Sequence, residues 1–438
     1  MRARTASTAW RWMRRDPGLV VCATSTTTRA EAADAAPARC LQGDFGGWNG
    51  GAAVKLDRRL GVAVAGFVTF INLYNVQTLL PTLAAEFHAP FGRTGLTVTA
   101  TLIAVAAVAP VVGSISDMIG RKGLIVAASW ALTAPTLAAA AVTSLDQLIA
   151  CRFVQGLLLP FVFAVTVAYI GDEAPGAEGI RLAGTYSIGT ILGGFGGRLL
   201  AGYATALAGW RSSFLLLAGL TAISAFTVAL TLPREQQFQP VRGLSRVAGN
   251  FGEHLTNPRL LATYALGFGV LFTIVAAFTY ANFVLAAPPY RLGPGALGSI
   301  FVVYLAGTIS TPLGMRLAVR QGRRPTLALA VVAAVAGLGL CLWQSLWAML
   351  AGLGLVAGAV LAEQALALGY VGAEARHGKS VAVGLYVTAY YLGGSAGGVL
   401  PGLIWNQLGW PGCVALSVCV QAIMALLAAW WWKEPVGR

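Results

Sequence analysis

The sequence LGGFGGRLLAG, Leu192–Gly202, recurs 200 residues later as LGGSAGGVLPG, Leu392–Gly402. The match begins at Gly184 and runs for 27 positions without a gap, and ten of those residues are identical in the two copies. A second, shorter match has nearly the same spacing, with GRK at 120–122 and GRR at 322–324. An internal match of this kind indicates that the two halves of the chain share one ancestry.

The composition excludes a water-soluble globule. The chain has 438 residues, of which 57% are hydrophobic and 11% are charged, whereas soluble domains are about 25% charged. Twelve apolar runs after residue 56 are long enough to span a bilayer, which takes ~20 residues. We therefore predict an all-α fold: a polytopic membrane protein with 12 transmembrane helices in two pseudo-symmetric six-helix bundles.

The apolar runs divide the chain into five segments. We predict a tail at 1–55, a first six-helix bundle at 56–232, a cytoplasmic linker at 233–257, a second bundle at 258–432 and a short tail at 433–438. The first tail has no spanning run, and it is interpreted as disordered or as the product of an over-long start. The linker is either a helix on the membrane surface or a plain connection.

The positions of lysine and arginine predict the orientation of the spans. Of the 22 basic residues from Arg58 onward, 17 fall on one side, three fall on the other, and Arg152 and Arg198 fall within spans. Loops rich in basic residues stay in the cytoplasm, so we expect both termini to be cytoplasmic. Because the positive charge lies in breaks between apolar runs, it indicates a lipid bilayer as partner and no nucleic acid.

Six glycines of the repeat predict close packing between helices. In a bilayer, small residues let helix backbones approach each other, although each glycine weakens a helix by roughly 1 kcal/mol relative to alanine. Alanine would be small enough for a helix–helix contact that stays fixed. We therefore interpret these glycines as a contact, here called the seam, along which the helices move, with static packing as the alternative. The seam glycines are Gly193, Gly194, Gly197, Gly393, Gly394 and Gly397.

The break between the second and third runs reads GSISDMIGRKG, Gly113–Gly123. It resembles the signature of the major facilitator superfamily at this loop, Gly-x-Leu-x-Asp-x-x-Gly-Arg-Arg/Lys, with Ile115 in place of the leucine. In that family the aspartate engages the arginine and the N-terminal dipole of a helix in the other half, which closes the cytoplasmic side. The alternative is a plain basic anchor. The gate residues that the resemblance implies are Gly113, Asp117, Gly120, Arg121 and Lys122.

Two more stretches resemble the same superfamily. RFVQG, Arg152–Gly156, is similar to its Arg-x-x-Gln-Gly signature, in which the arginine is tied to proton transfer in proton-coupled members. Arg152 lies near the end of its run and could instead reach the interface. The fifth run resembles the antiporter signature of exporters, with Gly194 where proline is usual. Together with YNVQTLLP in the first run, it looks like the YnfM-like exporter branch of bacterial inner-membrane transporters, so we expect that location.

Glu363 is the carboxylic acid that we place deepest within a predicted span. Desolvation favours the neutral form of a buried acid, so an acid inside the bilayer is a proton-carrier hypothesis. Glu363 could instead neutralise Arg198 or Arg152 in a fixed ion pair, or lie at the cytoplasmic end of its span. We predict proton coupling through Glu363 and Arg152.

Polar residues within the runs predict a cavity between the bundles. In the first run, Tyr74 and Gln77 share one helix face while Asn72 and Asn75 share another, and we favour the first pair because it falls in the family-like motif. A single tyrosine in a span more often serves in packing or as an interfacial anchor than in a cavity wall. The residues predicted to line the cavity are Tyr74, Gln77, Gln155, Arg198, Tyr280, Asn282, Tyr304, Gln364 and Tyr390.

The resemblance implies a secondary active transporter that exports a small organic solute or drug in exchange for protons, by alternating access. The chain has no GxxxxGK[ST] loop, so a gradient would supply the energy. The alternatives are uptake of a metabolite, by proton symport or facilitated diffusion, and a sensor that transports nothing. We expect no enzyme activity, no cofactor and no metal site, and a monomer whose partners are the solute, protons and the bilayer.

Overall fold

The computed structural model describes residues 57–174, 176–235, 252–375 and 379–432. The predicted tails at 1–55 and 433–438 and most of the predicted linker lie outside these ranges. The elements that it describes are helices joined by short turns. They are numbered here by span: α1 Arg58–Glu86, α2 Phe91–Ile119, α3 Arg121–Ala141, α4 Leu145–Glu173, α5 Ala177–Ala208, α6 Trp210–Thr231, α7 Pro258–Ala286, α8 Pro294–Gln321, α9 Arg323–Leu340, α10 Leu346–Glu374, and α11 and α12 within Lys379–Trp431.

The predicted all-α membrane fold is confirmed. By length and composition, ten helices in the described ranges can cross a membrane. One of the ten is the run that ends at Trp431, which contains two spans because Gly409 has non-helical dihedrals (φ 57°, ψ −150°). The helix missing from the ten is α5, which has 32 residues and is long enough, but its glycines and Arg198 lower its hydropathy.

Four turn glycines repeat the sequence symmetry in the backbone. Gly120 (φ 103°) and Gly322 (φ 96°) precede α3 and α9, while Gly209 (φ 82°) and Gly409 (φ 57°) end α5 and α11. Left-handed φ values of this kind cost a side chain with a Cβ atom, and glycine adopts them freely. The duplicated glycines therefore end equivalent helices in the two six-helix bundles.

The seam glycines hold helices together inside each bundle. Gly193 and Gly197 of α5 face the backbone of α1, and a Cβ atom at Gly197 would lie 2.7 Å from the carbonyl oxygen of Ile71. Gly393 and Gly397 of α11 face α7 in the same way. Alanine does not fit at these positions, so the expectation that a static seam would use alanine is wrong here. The four glycines are explained by close packing within a bundle.

The contact between the bundles uses other glycines. We call the membrane end that carries the 113–123 loop the motif end, and the opposite end the far end. Toward the far end, a Cβ atom at Gly402 of α11 would lie 2.5 Å from the Cα atom of Gly92 in α2. One at Gly298 of α8 would lie 2.7 Å from the carbonyl oxygen of Arg198 in α5. Gly394 also faces α2, whereas Gly194 faces the space between the bundles.

The hydrophobic core is continuous at the far end and divided at the motif end. One cluster includes residues of both bundles, such as Leu83 and Phe283. A second, separate cluster belongs to the motif end of the first bundle and includes Val62, Ile125 and Val165. The bundles therefore share a core on the far side and pack separately on the motif side.

Candidate functional site

A cavity of about 280 Å³ lies between the bundles, halfway along the spans. Both bundles contribute to its wall, which is mainly aromatic and aliphatic. Residues of the first bundle that line it include Phe70, Tyr74, Gly194, Phe195 and Arg198; residues of the second include Leu271, Tyr304, Gln364, Tyr390 and Tyr391. An apolar wall with a few polar groups is typical of a small-molecule site.

Arg198 carries the charge in this wall and is 4% exposed. Its Nε and Nη2 atoms donate to the side-chain oxygen of Gln77, at 2.9 and 2.7 Å, and its Nη1 atom donates to the carbonyl oxygen of Gly194 at 2.8 Å. The Gln77 amide nitrogen donates in turn to Thr279 of the second bundle, at 3.3 Å. The guanidinium group is therefore fixed by neutral acceptors.

Three aromatic rings surround the same guanidinium group. Its central carbon lies 4.6 Å from the ring centroid of Tyr74, 4.4 Å from that of Phe301 and 4.9 Å from that of Tyr304. Phe301 and Tyr304 belong to the second bundle, so Arg198 joins the two halves. The negative faces of aromatic rings stabilise a nearby cation.

Two interrupted helices place these partners. A 3₁₀ turn at Asn75–Leu79 breaks α1, and a second one at Phe301–Leu305 breaks α8. A 3₁₀ turn changes the direction of the following side chains relative to a regular α-helix. The first break turns Gln77 toward Arg198, and the second carries Phe301 and Tyr304. Discontinuous spans are common around the central sites of transporters.

Arg152 does not line the cavity and is buried inside the first bundle. Its guanidinium group donates to the carbonyl oxygens of Asn72 and Leu73, each at 2.7 Å, where the break in α1 ends regular helical bonding. It also donates to the side-chain oxygens of Asn75 and Gln155, at 3.1 and 2.6 Å. Arg152 therefore does not reach the interface, and it stabilises the broken backbone of α1.

Glu363 of α10 is fully buried in the second bundle, next in sequence to the cavity residue Gln364. Its Oε2 atom accepts a hydrogen bond from Gln421 of α12 at 3.3 Å, and the same amide nitrogen donates to Thr273 of α7 at 3.2 Å. The Oε1 atoms of Glu363 and Gln421 have no hydrogen-bond partner. The hydrogen bonds made by Glu363, Arg152 and Arg198 thus go to neutral groups, and the fixed ion pair considered for Glu363 is not formed.

The structure divides the predicted cavity residues into two groups. Tyr74, Arg198, Tyr304, Gln364 and Tyr390 line the cavity, and Gln77 stands directly behind Arg198. The remaining three are buried elsewhere: Gln155 bonds to Arg152 and Thr136, Tyr280 donates to the Gly398 carbonyl near the far end, and Asn282 donates to its own helix at Phe278.

Several residues of the site escaped the sequence analysis. Phe301 looks like an ordinary aromatic residue in a span, so its sequence carries no signal. Gln421 did carry a sequence signal, because a glutamine within an apolar run needs a polar partner. Asn72 and Asn75 face the interior of the first bundle, with Asn72 bonded to Thr221 and Thr136, as expected from the separate face they share.

The loop at the motif end forms an ionic cluster within the first bundle. The guanidinium group of Arg121 bonds to Asp117 at 2.9 Å and to Asp172 of α4 at 2.5 Å. The carboxylate of Glu235 accepts from the backbone amides of Arg121 and Lys122, at 3.1 and 3.2 Å, and so caps α3. Asp172 and Glu235 were not predicted. The partners found for Arg121 and Lys122 lie in α2, in α4 and in the segment that follows α6, whereas the motif predicts a contact with the other half.

Comparisons with known proteins agree with this architecture. The sequence model of the Major Facilitator Superfamily matches residues 62–303 and 270–438. The inner membrane transport protein YnfM of Escherichia coli K12 is 30% identical over 364 residues, which cover 83% of this chain and 87% of that protein. The uncharacterized MFS-type transporter YybF of Bacillus subtilis is 29% identical over 368 residues, covering 84% and 90%.

Solved structures share the fold. The nucleoside transporter NupG superposes with a TM-score of 0.71 at 14% identity, over 86% of this chain and all of that chain. A bacterial homolog of the human lysosomal transporter Spinster, in an inward-facing and unoccupied conformation, superposes with a TM-score of 0.69 at 14% identity, over 87% of this chain and 97% of that chain. With the superfamily model matched across nearly all the described spans, this chain belongs to the major facilitator superfamily.

Proposed function

We propose that this membrane transporter is a proton-coupled exporter, which exchanges a small organic solute for protons by alternating access. The observation that carries the proposal is a central cavity that both bundles line, beside a buried carboxylic acid held by neutral partners. The proposal places the chain in a bacterial cytoplasmic membrane, as a monomer, with both termini in the cytoplasm.

The arrangement of the bundles supports access from one side. At the far end, Phe91 stacks on Phe283 with ring centroids 4.1 Å apart, and α5 packs on the first part of α8 through Gly202 and Pro294. The second part of α8, Ala306–Gln321, packs on α9 and α10 of its own bundle. A cavity closed at the far end is reached from the motif end. By the distribution of basic residues, that end is cytoplasmic, which suits the loading step of an exporter.

Glu363 is the residue that we assign to proton coupling. A carboxylate without a cationic partner is costly in a buried site, so burial favours the protonated acid. Protonation of Oε1 would turn an unpaired acceptor into a donor, and the Oε1 atom of the neighbouring Gln421 is an acceptor that also has no partner. Because Leu361 and Gln364 of the same helix line the cavity, a change at Glu363 can be transmitted to the solute site. The proton-coupling role predicted for Arg152 stays a prediction.

Proton flux in proteoliposomes tests this proposal. The protein is reconstituted with an internal pH dye, and a compound panel is added with and without a proton gradient. Glu363→Gln should lose proton flux coupled to solute and keep solute–solute exchange, because the amide mimics the protonated acid. Glu86→Gln is the matched control, since Glu86 pairs with Arg211 in an exposed position at the far end, and it should behave as wild type.

Three other outcomes of this assay would change the proposal. Unchanged proton flux in Glu363→Gln would remove Glu363 from the mechanism. Solute movement that ignores the proton gradient would indicate facilitated diffusion. A folded protein that moves no compound of the panel would favour the sensor.

A further inference from the structure

We propose that the solute is a small organic monoanion, a monocarboxylate with an apolar body, and that its carboxylate binds Arg198. This inference rests on the proposed export function and names the substrate class for the same cavity. The first observation is the charge of the residues that line the cavity. Among the described residues that line the cavity, Arg198 alone carries a charge.

The hydrogen bonding of Arg198 leaves room for a ligand. A guanidinium group has five N–H donors, and three hydrogen bonds, two to Gln77 and one to Gly194, use three of them. Both terminal nitrogens thus keep one N–H bond. Two parallel N–H bonds on neighbouring nitrogens match the two oxygens of a carboxylate.

The site holds the guanidinium group in place before any ligand arrives. Gln77 accepts from its Nε side, and Thr78 donates to the Arg198 backbone carbonyl at 3.3 Å. The rings of Tyr74, Phe301 and Tyr304 restrict its remaining motion. A side chain fixed in this way loses little conformational freedom on binding, so an anion gains most of the electrostatic attraction. The rings stabilise the cation without neutralising it.

The rest of the wall specifies the body of the solute. Phe70, Phe195, Leu271 and Ile274 offer apolar surface, and a volume of about 280 Å³ suits a compound of one or two rings. The side chains of Gln364 and Tyr390 already bond to each other, at 3.3 Å. A second carboxylate on the solute would lack a cationic partner here, and a cationic solute would face Arg198. One negative charge on an apolar body therefore fits best.

Matched pairs of probes test the inference on the full chain in detergent. The probes are butyrate, benzoate, phenylacetate and 2-naphthoate, each with its primary amide, together with phenethylamine. Affinity is measured by thermal shift and by titration of intrinsic tryptophan fluorescence. At least one acid should bind at least tenfold more tightly than its amide, and the amine should bind weakly.

Variants at Arg198 identify the residue responsible. Arg198→Gln should bring the affinity of the acid down to that of its amide. Arg198→Lys keeps the charge but loses the two-pronged geometry, so it should retain part of the preference. It also covers the case in which Arg198→Gln does not fold. Arg93→Gln is the matched control, because Arg93 pairs with Asp146 in an exposed position, and its affinities should equal those of wild type.

Failure of this inference is distinguishable from failure of the export proposal. Equal binding of acid and amide across all pairs, or an unchanged preference in Arg198→Gln, would overturn the monoanion. Proton-coupled transport of a neutral solute by the wild-type protein, with the acids bound no better than their amides, would keep the exporter and reject its anionic substrate. Acid binding lost in Arg198→Gln, in a protein that shows no proton coupling, would support the monoanion and reject the exporter.

Discussion

Replacement of Arg152 by methionine should destabilise the whole protein rather than change only its proton coupling. Methionine replaces the apolar stem of arginine and fills most of the space, but it donates no hydrogen bond. Five hydrogen bonds of the guanidinium group disappear, to Asn72, Leu73, Asn75, Thr97 and Gln155.

The size of the effect follows from the acceptors left behind. The carbonyl oxygens of Asn72 and Leu73 lie at the break in α1, where the following turn bonds in 3₁₀ fashion, with the amide of Gln77 donating to Tyr74. Each buried carbonyl without a partner costs about 1–3 kcal/mol, which gives roughly 4 kcal/mol for the pair. The side-chain amides of Asn75 and Gln155 can rotate to new partners. The unfolding entropy of a chain of 438 residues converts this loss to a drop in Tm of about 4 °C or more.

Heating in detergent, followed by intrinsic tryptophan fluorescence, measures this drop. Arg93→Met is the control, because an exposed ion pair contributes about 0–1 kcal/mol and its Tm should fall by about 1 °C at most. Equal Tm values for the two variants would refute the positioning role. An Arg152→Met protein with the wild-type Tm but no proton coupling would instead support the proton-transfer role that its motif predicts.

Four further predictions address the seam, the site and its charge. Gly393→Ala should lower the Tm in the same assay, at a cost of about 1–3 kcal/mol or more, because a Cβ atom there meets the backbone of α7; Gly384→Ala has open space and should be neutral or stabilising by up to about 1 kcal/mol. Gln77→Leu should weaken binding of the acid probes about tenfold and reduce their preference over the amides by a similar factor, because Arg198 loses its fixed orientation; unchanged acid affinity would show that the hydrogen bonds from Arg198 to Gln77 are not needed. Glu235→Gln should cost about 0.5–1 kcal/mol in unfolding experiments, through the loss of the charged cap on α3. Export of one monoanion in exchange for one proton moves two charges across the membrane. A membrane potential of 100 mV, negative inside, should therefore add about 4.6 kcal/mol to the driving force for export, against about 2.3 kcal/mol for a neutral solute. A current measured in vesicles that corresponds to one charge per solute would contradict the anionic substrate.

The sequence by itself determined the architecture. A spanning helix must supply about 20 apolar residues and satisfy its own backbone, so the spans are visible as runs in hydropathy. The duplication is visible because equivalent turns keep their glycines, as at Gly209 and Gly409. The motif at 113–123 then pointed to the superfamily, and Arg198 was among the polar residues predicted to line the cavity. All of these signals are local or strictly repeated along the chain.

Only the tertiary structure decided which polar residues meet. Regular helical spacing groups Tyr74 with Gln77, but the break at Asn75–Leu79 leaves Tyr74 in the cavity wall and turns Gln77 behind Arg198. The partners of Arg198 come from α1, α5 and α8, which lie far apart in sequence. Glu363 of α10 likewise bonds to Gln421 of α12, which in turn bonds to Thr273 of α7. Contacts between distant segments, and local departures from regular helix, depend on how the bundles pack, and periodicity along one helix carries no information about either.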